Sequence, residues 1–135
     1  MKRRFASRAE AVPAVIEDVR SLCRGAGFAP QQAFEIATCT AEAINNAIEH
    51  AYAGSPDGVV TVSCTVRDGV LVVEVADRGA RMRGAIPVHP APADGEAGRG
   101  WGIMRAWSDR LRYLHRGACN VVRLERTLPE TPDSP

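Results

Sequence analysis

Glu42, Asn46, Asp77 and the glycines of Gly98-Arg-Gly-Trp-Gly102 are the residues of this chain whose types and spacing could handle a charged, metal-bound ligand. The first two lie in Glu42-Ala-Ile-Asn-Asn46-Ala-Ile-Glu-His50-Ala-Tyr52, where Ala37, Ala41, Ile44, Ala47, Ile48 and Ala51 recur at helical spacing. At about 100° per residue, Glu42, Asn46 and Glu49 fall within roughly 60° of one another, with His50 at the edge of the stripe. A solvated helix face accounts for the two glutamates without any chemistry. It does not account for Asn45 and Asn46, because asparagine competes for backbone hydrogen bonds and is a poor interior helix residue. A side-chain carbonyl that coordinates Mg²⁺ is one reason for it, since that ion takes hard oxygen ligands beside phosphate and water. Glu42, one turn earlier, could then receive a proton.

Asp77 closes the apolar run Val70-Leu-Val-Val-Glu-Val75, which reads as a strand entered from an Asp68-Gly69 hairpin turn. Gly79 removes a side chain where the backbone must turn or approach a ligand closely, and an aspartate there can accept a hydrogen bond from an amino group such as that of adenine. An ordinary Asp-x-Gly turn is the plainer account of that pair taken alone. Gly98-Arg-Gly100-Trp-Gly102 precedes the amphipathic run Ile103-Met-Arg-Ala-Trp107. The glycines are therefore expected to open a helix whose free N–H groups can bind phosphate, with Arg99 placed to pair with phosphate oxygens. No strand leads directly into them, so a dinucleotide-binding fingerprint is disfavoured. In combination the three segments point to an ATP site.

The elements that must position these groups follow from periodicity and turn residues. A short strand is expected at Arg3–Ala6, then a helix over about Val12–Arg24 with Val12, Val15, Val19 and Leu22 on one face, ended by Gly25 and Gly27. A long helix from about Gln31 to Tyr52 is followed by a loop at residues 54–58 and an antiparallel pair, Val59–Arg67 and Val70–Ala76. Residues from about 80 to 98 carry Pro87, Pro90 and Pro92 with little periodicity and read as a mobile lid. A helix from about Trp101 to Asp109 leads to strands Leu111–His115 and Asn120–Thr127, and the Pro-rich end over residues 129–135 is expected to be disordered. The expectation is an α+β, two-layer sandwich: a mixed, mostly antiparallel sheet with helices on one face, forming one domain over residues 1–128.

The 135 residues suffice for one core. A formal net charge of +1 gives no general pull toward nucleic acid or anionic membrane. Arginines nevertheless dominate from Arg78 onward, including Arg81, Arg83, Arg105, Arg110, Arg112, Arg116, Arg123 and Arg126. Half of the case for them is a solvated surface and half an anion-facing side. Cys23, Cys39, Cys64 and Cys119 have no Cys-x-x-Cys spacing, so buried thiols are expected rather than zinc ligands or a redox pair. No apolar run is long enough to span a bilayer and no leader pattern opens the chain, which sets the expectation of a cytoplasmic protein. His89 lies among prolines and His115 in a strand beside a turn, and neither reads as catalytic.

Along most of its length the chain resembles the GHKL ATP-binding superfamily and, within it, the small bacterial anti-sigma-factor serine kinases. Residues Glu42 to Tyr52 resemble the family's N box, a likeness that implies Glu42 as general base and Asn46 as Mg²⁺ ligand. Asp77-Arg-Gly79 is similar to the first glycine box, implying adenine recognition by Asp77. Gly98 to Gly102 is similar to the second, which closes on the triphosphate. Phe5-Ala-Ser, Ala11-Val-Pro-Ala-Val15 and Gly27-Phe28 follow the same family pattern. The chain departs from it at Arg81, where a second glycine often stands, and at Gly117-Ala-Cys119, where relatives often have a Gly-Thr pair. The resemblance implies ATP and Mg²⁺ as cofactors and phosphorylation of a serine or threonine on an anti-anti-sigma antagonist protein. It also implies a sigma factor as a second partner, and a homodimer. Two other readings remain at this stage: a nucleotide-gated module that only sequesters its partner, and the ATP-binding domain of a histidine kinase. His50, inside the ATP-site helix, reads as a packing or nucleotide contact rather than a phosphate acceptor.

Overall fold

Strand residues alternate between two faces, and here one face is apolar: Val60, Val62 and Cys64, Leu71, Val73 and Val75, and Val122 and Leu124 are all buried. The structure, a computed structural model, describes residues 1–82 and 96–130, with the backbone alone described for 96–99. Five strands, β1 (Lys2–Ala6), β2 (Val59–Arg67), β3 (Val70–Asp77), β4 (Arg110–Arg116) and β5 (Cys119–Thr127), form one sheet in the order β1-β2-β3-β5-β4. A sheet with some parallel pairing was expected; each of the four ladders among the described residues is antiparallel. Tight hairpins explain this for β2–β3, where Asp68 and Gly69 both adopt positive φ, 53° and 75°, as a two-residue turn with the right twist requires.

Three helices, α1 (Val12–Ala26), α2 (Pro30–Asn46) and α3 (Glu96–Ala106), bury their apolar sides in the same core. The α1 stripe is Val12, Val15, Val19 and Cys23; Leu22, expected on it, packs at its margin. Gly27, at φ 115°, ends the helix in the left-handed conformation, and Phe28 N–H donates to the Cys23 carbonyl. Pro30 then opens α2, whose Ala33, Ile36, Ala37, Cys39, Thr40, Ala43 and Ile44 are buried. Ile36 and Ile44, both fully buried, each contribute about 1.5–3 kcal/mol. Of the four thiols expected to be buried, Cys23, Cys39 and Cys64 are buried, and burial pushes their pKa to about 12, 11 and 11 respectively, whereas Cys119, beside the β4–β5 turn, is only partly buried.

Two boundaries differ from expectation. The long helix stays α-helical only to Asn46 and widens into a π-helical turn over Ala47–Ala51. In addition, α3 begins at Glu96, so that the glycines expected to form a loop ahead of a helix at Trp101 lie inside its first turns. Of the expected lid, residues 83–95 lie outside the described residues, as do 131–135 of the tail. No helix among the described residues is long and apolar enough to cross a membrane.

Candidate active site

The last α-helical turns of α2 carry Glu42 and Asn46 on the side away from buried Ala43, Ile44 and Ala47. Glu42 makes no hydrogen bond or ion pair to a described residue. Burial raises its pKa, and repulsion from Glu49 adds to the rise. The Nδ2 of Asn46 is buried with no hydrogen-bond partner among the described residues. An unpartnered amide of this kind costs about 1–3 kcal/mol, so the site is built to receive a further polar group. Beyond Asn46 the π turn is closed by Tyr52 N–H donating to the Ala47 carbonyl at 3.0 Å. Such turns interrupt helices where a local geometry is needed. Glu49 and His50 lie within this turn, and both are exposed.

Tyr52 connects this helix end to the sheet. Its hydroxyl accepts from Arg78 N–H at 2.7 Å and donates to the Val59 carbonyl at 2.6 Å. Gly79 completes the join: a Cβ there would lie 2.2 Å from the Ala51 carbonyl oxygen, and Ala80 N–H donates to that same oxygen at 2.8 Å. The close approach expected at Gly79 is thus to the helix end itself.

Asp77, at the end of β3, is 8% exposed. Its Oδ1 accepts from Gly79 N–H at 2.9 Å and from Asn120 Nδ2 at 2.8 Å, while no described residue donates to Oδ2. Burial raises the Asp77 pKa, and these two hydrogen bonds oppose the rise. Asn120, 2% exposed, also donates to the Gly79 carbonyl at 3.0 Å, and its Oδ1 lies 3.1 Å from His115 Nδ1. Neither Asn120 nor His115 stood out in the sequence. The available signal was an asparagine in a strand, a residue type that strands disfavour, two places past a turn.

The third segment meets Glu42. A Cβ on Gly100 would lie 2.7 Å from Glu42 Oε2, so the carboxyl rests against the α3 backbone. Glycine leaves room for the carboxyl in this position. Since α3 begins at Glu96, helix geometry leaves the N–H groups of residues 96–98 without intrahelical acceptors. The indole of Trp101 points instead into the core, 6% exposed and edge-on to Tyr113. The Arg99 side chain lies outside the described residues.

The two ends of the site are therefore joined through one helix: Asp77 and Gly79 at Ala51, Gly100 at Glu42. The nine residue steps from Glu42 to Ala51 (51 − 42) run through the end of α2 and the π turn and span at most about 13 Å at 1.5 Å per residue, a distance suited to a nucleotide extended from base to terminal phosphate. Among the described residues, no three His, Cys, Asp or Glu side chains gather as a metal cage. The oxygen donors of Asn46 and Glu42 fit Mg²⁺ of the kind held mainly by phosphate oxygens. A separate recess at the opposite end of the sheet, bordered by Arg24, Phe28, Gln32, Asp68 and Leu128, contains none of these residues.

A family model described as the histidine kinase-like ATPase domain matches residues 5–126. Relatives include the anti-sigma F factor of Halalkalibacterium halodurans, 32% identical over 59% of this chain and 58% of that protein. The anti-sigma F factor of Priestia megaterium is 36% identical over 58% and 57% of the respective chains. The matches thus span somewhat under three fifths of these relatives' length. Among solved structures, the RsbU and RsbW domains of Rv1364c from Mycobacterium tuberculosis superpose with a TM-score of 0.65 at 20% identity, covering 95% of this chain and 32% of that one. At that identity the likeness is one of fold.

Proposed function

Because the chain belongs to the histidine kinase-like ATPase family, we propose that it is an ATP-dependent serine/threonine protein kinase of the anti-sigma-factor type. Its substrate in this reading is a small anti-anti-sigma antagonist protein, and a sigma factor is its second partner. The observation that carries the chemistry is the meeting of the unpartnered Glu42 carboxyl with Gly100, one helical turn from the orphan Asn46 amide. The regulatory assignment rests on the anti-sigma F factors to which the chain is similar.

Glu42 takes the proton of the attacking hydroxyl, and its raised pKa makes it a better base than an ordinary glutamate. Asn46 is the residue that would hold Mg²⁺, which when bound neutralises charge across the phosphate oxygens. Asp77 receives the base amino group on Oδ2. The first two turns of α3, with Gly98, Arg99, Gly100 and Gly102, border the phosphate tail, and His50 flanks the nucleotide from the π turn. Trp101 serves the site by anchoring α3 in the core. Positioning supplies most of the rate, and no covalent enzyme intermediate is needed. Residues 1–128 act as one unit, and two copies pair as a homodimer.

The test is incubation of the purified protein with γ-labelled ATP, Mg²⁺ and candidate antagonist proteins. Acid-stable label on a serine or threonine of the antagonist is the expected result. Partner retention that depends on nucleotide but transfers no label would identify a sequestering module instead, and acid-labile label on this chain would identify a histidine kinase activity. Light scattering of the same sample reads the homodimer.

A further inference from the structure

The β3–β5–β4 register pairs Asp77 with Asn120 and Asn120 with His115, so these three residues form one row across neighbouring strands. The row is polar on a face whose adjacent row, Val75, Val122 and Tyr113, is apolar. Its hydrogen bonds have a single direction. The two Asn120 Nδ2 hydrogens are used on Asp77 Oδ1 and the Gly79 carbonyl, which turns Asn120 Oδ1 toward His115 and requires a hydrogen on His115 Nδ1. The His115 ring is in turn held edge-on to Tyr113 at 5.1 Å, and Tyr113 OH accepts from Met82 N–H. A buried asparagine with both amide hydrogens and its carbonyl oxygen engaged is a positioning device, and what it positions is the carboxylate at the strand end of the site.

We propose that the row Asp77–Asn120–His115 sets the nucleobase selectivity of the site, with Asn120 a positioning residue and His115 the residue that locks its amide. This rests on the reading of Asp77 as the base-binding group. With Oδ1 saturated by Asn120 and Gly79, the carboxylate cannot rotate, and Oδ2 alone is presented to the ligand as a fixed acceptor. A fixed acceptor rewards the amino group at position 6 of adenine and opposes the carbonyl oxygen that guanine carries there. Without Asn120 the carboxylate is free to turn, and the Gly79 carbonyl is released with it. Without the His115 N–H the Asn120 amide can invert, which would set oxygen against oxygen at Asp77.

The experiment is calorimetric titration of the full chain with Mg-ATP, Mg-GTP and Mg-tripolyphosphate, for the wild type, N120A, H115F, N120T, N120A/H115F and N120T/H115F. H115F keeps a ring against Tyr113 while removing the donor. The expected result is a loss of ATP affinity of about 10- to 100-fold in N120A, an ATP-to-GTP ratio that narrows by a similar factor, and unchanged tripolyphosphate affinity. H115F should move the ratio in the same direction by less, and the double variant should match N120A because His115 acts through Asn120. N120T retains one donor for Asp77 and no link to His115. It should recover part of the ratio and become insensitive to H115F, which keeps the test available should N120A fail to fold. A ratio unchanged in folded N120A or N120T, or equal loss for all three ligands, would overturn the proposal. Absence of any nucleotide binding by the wild type would instead overturn the ATP-site reading beneath it.

Discussion

Glu42 is placed where a carboxylate is uncomfortable, and that discomfort separates a catalytic from a structural role. Its folded pKa is raised, so whatever it contributes to stability is present below the unfolded value and is lost as pH rises through the folded one. At neutral pH the charged side chain is therefore no asset to the fold. E42Q should melt no lower than the wild type at pH 7.5 by scanning calorimetry, and should bind ATP, while phosphotransfer falls by roughly 10²–10⁴-fold. The base form disappears as pH falls through the raised pKa, which sets the acid limb of the rate profile above the ordinary glutamate range. Removing the repulsion with E49Q lowers that pKa, and the limb should move to lower pH in a pH–rate series. Asn46 makes a different prediction. N46A should weaken Mg-ATP binding more than binding of ATP in the presence of a chelator, and equal affinities in the two titrations would remove Asn46 from the metal.

The glycines distinguish themselves at the scale of elements. Gly79 faces the backbone carbonyl of Ala51, which cannot yield without moving the π turn, so G79A should cost about 1–3 kcal/mol in denaturant unfolding. Gly100 faces the far end of the Glu42 side chain, which can swing aside. Since alanine is about 1 kcal/mol better than glycine inside a helix, G100A should fold at least as well as the wild type while displacing the base and lowering kcat. Gly102 has no protein atom within 4 Å of its Cβ direction, so G102A should stabilise the fold, and any loss of Mg-ATP affinity in that variant reads its proposed place beside the phosphate tail. Three alanines thus read three situations of glycine: clearance for an element, clearance for the proposed base, and room beside the proposed phosphate tail. A site built on loops would not sort them this way. The sorting follows from α3 beginning at Glu96, ahead of the glycines rather than after them.

At the scale of the whole molecule, the site depends on α2, α3 and the sheet keeping their mutual placement. Arg126 on β5 joins all three, donating to Glu35 Oε1 on α2 at 2.8 Å and to the carbonyl of Trp107, just past α3, at 2.8 Å. The pair is mostly buried, with side-chain exposures of 16% and 17%. R126A should therefore destabilise by about 1.5–3 kcal/mol, the range for hydrogen bonds to charged groups, and reduce phosphotransfer beyond what its melting temperature explains. The hydrogen bond from Arg126 holds the Glu35 pKa below its ordinary value. That contribution is present above the unfolded pKa and is lost as pH falls through the folded one, so the gap between wild type and R126A should close on acidification.

Much of this was legible in the chain before folding. The helices and strands, the Asp68-Gly69 hairpin, the stripe holding Glu42 and Asn46, and the strand-end place of Asp77 are local matters of periodicity and turn chemistry, which neighbouring residues decide among themselves. Where the sequence reading missed, the cause was a partner distant along the chain. The π turn lets Ala51 meet Gly79, Gly100 is set against Glu42, and Asn120 reaches Asp77 across a separation of 43 residues. Such contacts depend on how strands pair and helices dock. Register is determined by the burial of a whole face at once, and no single residue announces which neighbour it will be given.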